Sequence, residues 1–420
     1  MKVFKFGGAS IQTIERIECV GGILAHYKNE KIVVVVSAIG KTTNALEKIV
    51  TAFYKGNKEE ALELFIQVKN MHNTLAKYLL VKNALATENA LQDFYTEVEW
   101  LLHDNPVRKY DYYYDQMVCV GELLATTLVS AYLNEIGITN QWLDVRDIIR
   151  TDNQFRQAEL NESVTLAQIQ KNLLPQLEKH QMVVTQGFIG STEDNESTTL
   201  GREGSDYTGA IFANLLDAES LTIWKDVPGV MSADPKLFPD ASIIPALDYE
   251  EVIEMAFFGA QVIHPKTIKP LQNKRIPLLV KCFLDPNLPG TIIHQTVIKQ
   301  LQPIIILKKD QVFMQLQTKD FGFVGAQPMA DLYKLLVKFQ IKANIIQTGA
   351  ITVQLCMDEQ NDKTTLLAVA ASENFTIDIE KGFTLLTIRH YNDALVAQLL
   401  DKKNVKLLQK DKKNIQALYK

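Results

Sequence analysis

Short apolar runs alternate with amphipathic stretches through the first two-thirds of the chain. Residues 3–6, 32–36, 139–144, 182–185, 220–225 and 277–282 read as strands, and several of the intervals between them repeat their apolar positions at helical spacing. Strands separated by helices predict a mostly parallel sheet with helices on both faces, a three-layer α/β/α arrangement. The interval 44–107 is different: it is helical in period and rich in charge, and so predicts a helical elaboration beside the sheet. A further helix is expected over 117–133. After the Asp-Pro-Asn-Leu-Pro-Gly break at 285–290 the texture changes to shorter strands with single helices. Strands at 312–317, 342–347, 351–357 and 375–379 with helices at 329–339 and 364–372 fit a ferredoxin-like βαββαβ unit, and a second, shorter set begins at 383. The organisation expected is therefore a catalytic-type α/β domain over 1–297 and a ferredoxin-like region over 298–420 whose second unit is truncated.

The first strand ends in Lys5-Phe6-Gly7-Gly8-Ala9-Ser10, followed by a helix with apolar residues at Ile11, Ile14, Ile17 and Val20. A glycine pair at a strand-to-helix turn lets backbone N–H groups and the positive helix end approach an anion, and Lys5 adds a full charge. A plain packing turn is the competing reading. The second strand runs into Ser37-Ala38-Ile39-Gly40-Lys41-Thr42-Thr43, which is not a P-loop because Val35 stands where the first glycine is required. It instead offers hydroxyls at the carboxyl edge where open α/β sheets take ligands. The segment Gly201-Arg202-Glu203-Gly204-Ser205-Asp206 is the densest in chemistry. Arg202 presents a bidentate fork for a carboxylate, and Ser205 or Asp206 is placed to cap a helix over 207–216. Glu122 lies within the apolar 117–133 helix, where a buried carboxylate is costly unless a cation pairs with it. His264, before Pro265, reads as a helix cap.

Length and charge change this picture little. With 420 residues, 47% of them apolar, and a net charge of −5, the chain has the composition of a folded globular protein without the basic face of a nucleic-acid binder. The four cysteines are scattered without CxxC spacing, so neither disulfides nor zinc are expected, and no metal-ligand cluster is evident. No leader and no apolar run of membrane-spanning length is read, which makes the cytoplasm the expected location and a membrane partner unexpected.

Six segments in this order, KFGGAS (5–10), VVVVSAIGKTTN (33–44), VGELLATT (120–127), TTLGREGSDYT (198–208), KDVPGVMSADPK (225–236) and FGAQVIHPKT (258–267), resemble the aspartate kinases of the amino acid kinase family, with ACT-like regulatory units following. The resemblance implies transfer of the γ-phosphoryl group of ATP to the β-carboxylate of L-aspartate, with Mg2+ riding on the ATP phosphates. It implies that Lys5 stabilises the transferring group, that Asp206 organises Lys5, and that Gly7, Gly8 and Ser10 cradle phosphate oxygens. It further implies that Arg202 takes a substrate carboxylate, Glu122 the α-ammonium, and Ser37, Thr43 and Ser205 hydrogen bonds around the amino acid. Lys225, Asp226, Met231, Lys236 and Gln261 fall at nucleotide positions. Four of these depart from the usual residues: Met231 for tyrosine, Gln261 for lysine, Lys236 for arginine and Lys225 for threonine. In the regulatory region Asn344 and Thr348-Gly349-Ala350 replace the aspartate and the hydroxyl or acidic residues that hold an effector. Weak or absent lysine inhibition is therefore expected, together with a homodimer paired through the ACT-like region. Rival readings are a kinase acting on glutamate, acetylglutamate or UMP, and a non-catalytic nucleotide-binding sensor.

Overall fold

The structure, a computed structural model, describes residues 1–298 and 300–420. The chain divides into two compact units. The first comprises residues 1–230, 243–253 and 263–298; the second comprises 231–242, 254–262 and the described residues after 298.

The strands of the first unit are β1 (Lys2–Phe6), β2 (Ile32–Val36), β3 (Gln141–Leu143), β4 (Met182–Gln186), β5 (Ile189–Ser191), β6 (Ser197–Thr199), β7 (Ser220–Lys225), β8 (Ala246–Asp248), β9 (Leu278–Cys282) and β10 (Thr291–His294). Eight of them form one sheet in the order β3-β4-β2-β1-β7-β9-β10-β8, while β5 and β6 make a separate hairpin. All neighbours in the large sheet are parallel except β9 and β10. All five residues of β2 are buried, as its unbroken Ile-Val-Val-Val-Val run requires when both faces are covered. The charged interval forms helices Thr42–Tyr54, Lys58–Leu79 and Ala84–His103. The stretch expected as one helix over 117–133 is two, Tyr110–Val118 and Val120–Glu135, joined at Cys119. By length and composition Tyr110–Glu135 would pass for a membrane span, contrary to the sequence reading, but 78% of its apolar window is buried inside the protein, as a core helix is.

The helix after Arg202 also differs from expectation. It runs Gly204–Leu215, so Ser205 and Asp206 lie in its first turn rather than at its cap, and Glu203 occupies the cap position at φ 55° without a side-chain cap bond. Gly204 makes the early start possible, because a Cβ there would stand 2.7 Å from the Phe188 ring. His264 does cap the helix Pro265–Lys274, its ring accepting the Lys266 N–H at 3.1 Å.

The second unit carries β11 (Ile304–Thr318), β12 (Ala343–Thr348), β13 (Thr352–Asp358), β14 (Phe375–Arg389), β15 (Val405–Lys410) and β16 (Asn414–Tyr419). They form one antiparallel sheet in the order β12-β13-β11-β14-β16-β15. The strands expected at 375–379 and 383–389 are one strand, and β11 likewise runs on past the expected 312–317. Their ladder continues from Ile304 opposite Arg389 to Thr318 opposite Phe375 through irregularities around Lys308 to Phe313. Charged residues at 308–310 and 380–381 interrupt the apolar pattern, but a β-bulge absorbs them without ending the hydrogen-bonding. Helices Ala326–Lys338 and Asn361–Ala371 bury Leu332, Leu336 and Leu367 with Val312, Met314 and Leu355 of the sheet. After β14 there is a single helix, Asp393–Leu400.

Candidate active site

The site is built at the carboxyl ends of β1, β2 and β4, where two strand-end loops meet. The Ser37 N–H donates to Phe6 O at 3.1 Å and the Gly40 N–H to Gly8 O at 3.0 Å. Gly8 is required for that approach, because a Cβ on it would stand 2.5 Å from the Ala38 carbonyl oxygen. Ser10 turns inward: it is buried, and its hydroxyl donates to Gly7 O at 2.5 Å.

Lys5 comes up from β1, and Asp206 from the first turn of Gly204–Leu215. Lys5 Nζ and Asp206 Oδ1 are 2.5 Å apart, with side chains only 12% and 6% exposed. Burial alone would push the Asp206 carboxyl up; the Lys5 and Lys225 ammonium groups overcome this and hold it below the ordinary carboxylate range. The pair is therefore charged, and the helix N-terminus adds to the field holding the carboxylate.

Glu122 presents the opposite case. It is buried in the first turn of Val120–Glu135 and receives the Ala38 N–H on Oε1 at 3.3 Å, while Oε2 is buried with no partner among the described residues. Burial pushes its carboxyl up to about 8, against the Ala38 N–H, its own N–H and the more distant Lys5. A cation brought beside it would favour the ionised form.

Lys5, Gly8, Ser37, Thr43, Glu122, Arg202, Ser205 and Asp206 all line one cavity of about 830 Å3. Thr43 lies in the first turn of Thr42–Tyr54. Ser205 lies against Gly187, where a Cβ would stand 2.6 Å from the serine's own. Arg202 is exposed, on the loop between Gly201 and Glu203, both at positive φ. Lys225 ends β7, and Asp226 follows it exposed to solvent. Met231, Lys236 and Gln261 belong to the second unit. The sequence reading did not pick out Tyr114, Phe155, Arg156, Phe188 and Thr199, which also line the cavity. The aromatic run at 110–114 was the available signal, but nothing in its spacing distinguishes a cavity wall from core packing.

Residues 1–282 match the model of the amino acid kinase family. The chain belongs to the amino acid kinase family. Its likeness to aspartokinases within that family extends past the matched region. Lysine-sensitive aspartokinase 3 of Escherichia coli (strain K12) is 29% identical over 398 residues, covering 92% of this chain and 86% of that protein. The chloroplastic aspartokinase 2 of Arabidopsis thaliana is 32% identical, covering 85% of this chain and 66% of that protein. Among solved structures, E. coli aspartokinase III in complex with aspartate and ADP has a TM-score of 0.81 at 27% identity, covering all of this chain and 96% of the other. The same enzyme in complex with lysine and aspartate has a TM-score of 0.82, also at 27% identity, covering 100% of this chain and 95% of that one.

Proposed function

We propose that this member of the family is an aspartate kinase, transferring the γ-phosphoryl group of ATP to the β-carboxylate of L-aspartate to give 4-phospho-L-aspartate, the precursor of lysine, threonine and methionine. The single observation that carries the choice of a substrate with a free α-ammonium is Glu122: a buried carboxyl with one oxygen lacking a partner among the described residues, in the same cavity as the Lys5–Asp206 pair. An amino acid with a free α-ammonium satisfies it, whereas an N-acetylated acid or a nucleoside monophosphate does not. Arg202 then takes the α-carboxylate in a bidentate pair, with Ser37, Thr43 and Ser205 as hydrogen-bonding neighbours.

The chemistry needs no general base, because the attacking carboxylate is already ionised at neutral pH. A β-carboxylate oxygen bonds to the γ-phosphorus, the bond from phosphorus to the β,γ-bridging oxygen breaks, and ADP leaves with the electron pair. The protein's part is alignment and neutralisation of the travelling charge. Lys5, held by Asp206, faces the transferring group, and the Gly7-Gly8 turn admits the phosphates. Lys225 and Asp226 stand at the same sheet edge, at the end of β7, toward the nucleotide. Among the described residues no group of three or more His, Cys, Asp or Glu side chains could hold a metal ion. Mg2+ would enter on the ATP phosphates, which supply its oxygen ligands.

The same reading makes the protein a homodimer paired through the ACT-like region, with weak or absent lysine control. Asn344 is already engaged: it donates to Gln311 Oε1 at 2.7 Å and to Asp358 Oδ1 at 3.0 Å, and accepts from Lys308 Nζ at 2.9 Å. Trapping of the acyl phosphate by hydroxylamine, with ATP and each of aspartate, glutamate and acetylglutamate, tests the assignment. Turnover with aspartate alone is expected; turnover only with another acid, or with none, would refute it.

A further inference from the structure

Asp115, on the helix Tyr110–Val118, is fully buried and is not part of the cavity wall. Its Oδ2 accepts the backbone N–H groups of Arg156 at 2.9 Å and Thr199 at 2.8 Å, and its Oδ1 accepts the Thr199 hydroxyl at 2.7 Å. Arg156 stands on a loop and Thr199 ends β6, just before the turn that carries Arg202, and both line the cavity. The two segments also meet directly, with the Ala158 N–H donating to Thr199 O at 3.0 Å. Gly201, at φ 78°, lies so near that a Cβ on it would be 3.3 Å from Arg156 O. Arg156 itself is held at φ 70°, a conformation unfavourable for any residue with a side chain. Its guanidinium lies 4.3 Å from the Tyr114 ring centre and pairs with Asp111 at 3.3 Å and Glu47 at 3.5 Å.

We propose that Asp115 is a positioning residue that clamps the 154–157 loop to the end of β6, from which the 200–203 turn departs, and thereby sets where Arg202 meets the substrate carboxylate. The proposal rests on the aspartate kinase reading. Asp115 touches no substrate; it acts by spending both carboxylate oxygens on the two segments, next to the turn that carries Arg202. Leaving three donors without their acceptor removes these ties and leaves the Ala158–Thr199 backbone bond to hold the two segments, which loosens the turn that carries Arg202. Burial, opposed by those same donors, pushes the Asp115 carboxyl up to about 7, so the site tolerates a neutral side chain of the same shape. Asparagine is such a shape: its amide oxygen accepts the two N–H groups, and its NH2 donates to the Thr199 hydroxyl.

The test is steady-state kinetics of the full chain with both substrates varied, for the wild type, Asp115→Ala, Asp115→Asn and Thr199→Val. For Asp115→Ala the KM for aspartate is expected to rise about tenfold or more while the KM for ATP changes less than about twofold, and Asp115→Asn is expected to restore the wild-type KM. A general loss of structure would instead move both constants and would not be rescued. Should Asp115→Ala fail to fold, Thr199→Val removes only the hydroxyl bond and is expected to raise the aspartate KM about threefold with that for ATP unchanged. An unchanged aspartate KM in the folded variant, or equal increases for both substrates, would overturn the clamp. Absence of aspartate turnover in the wild type would overturn the aspartate reading itself, and the clamp with it.

Discussion

Glu122 makes aspartate binding a proton-releasing event. In the free protein its carboxyl is pushed by burial from 4.5 to about 8, so at pH 7 it is mostly protonated. The substrate α-ammonium pairs only with the ionised form, so binding must expel that proton. For a group of folded pKa about 8 that ionises fully in the complex, linkage gives release of about 0.9 proton per aspartate at pH 7 and a Kd about fifty-fold weaker at pH 6 than at pH 8. Calorimetric titration with aspartate in two buffers of different ionisation enthalpy reads the proton count, and repetition from pH 6 to 8 reads the slope. Glu122→Gln keeps the shape and cannot titrate. Its Kd is expected to be flat across the window and about ten- to a hundredfold weaker than wild type at pH 8, the worth of one charge-assisted contact. The ligand-free protein carries a second signature. Because the folded pKa is raised, the folded state keeps a proton that the unfolded chain has lost, so this group's contribution to stability declines as pH rises from about 4.5 to about 8. Saturating aspartate should cancel the decline. A wild-type Kd independent of pH, with no buffer-dependent heat, would refute the pairing of Glu122 with the substrate.

Lys5→Ala is expected to lower kcat by at least about a hundredfold, the usual cost of losing one preorganised charge at a transferring group, while aspartate affinity by calorimetry changes less than about threefold. Near-normal turnover would remove Lys5 from its role. Gly8→Ala places a methyl 2.5 Å from the Ala38 carbonyl oxygen, so urea unfolding should show a loss of about 1–3 kcal/mol together with weaker ATP binding; an unchanged midpoint would show that the two loops can part freely. With Asn344 held by Gln311, Asp358 and Lys308, millimolar lysine should leave turnover nearly unaltered, and inhibition at micromolar lysine would overturn that reading of the second unit.

By itself, the sequence determined what is local. The Ile32–Val36 run could only be a strand covered on both faces, and the glycine pair after Phe6 marked a strand-to-helix turn because periodicity and backbone freedom are properties of neighbouring residues. It also placed Lys5, Glu122, Arg202 and Asp206 in segments whose order resembles a family. Where the sequence read a strand over 312–317, another over 375–379 and a new set from 383, the structure has two 15-residue strands whose ladder runs on, because pairing with a distant partner outweighs a local lapse in hydrophobicity. Tertiary structure alone decided that Lys5 and Asp206, some two hundred positions apart, neutralise each other at 2.5 Å, and that one Glu122 oxygen has no partner among the described residues. It also decided that Asp115, unremarkable in a run of tyrosines, ties two distant segments together. Charge state and loop position follow from burial and long-range partners, which are fixed only when the chain closes on itself.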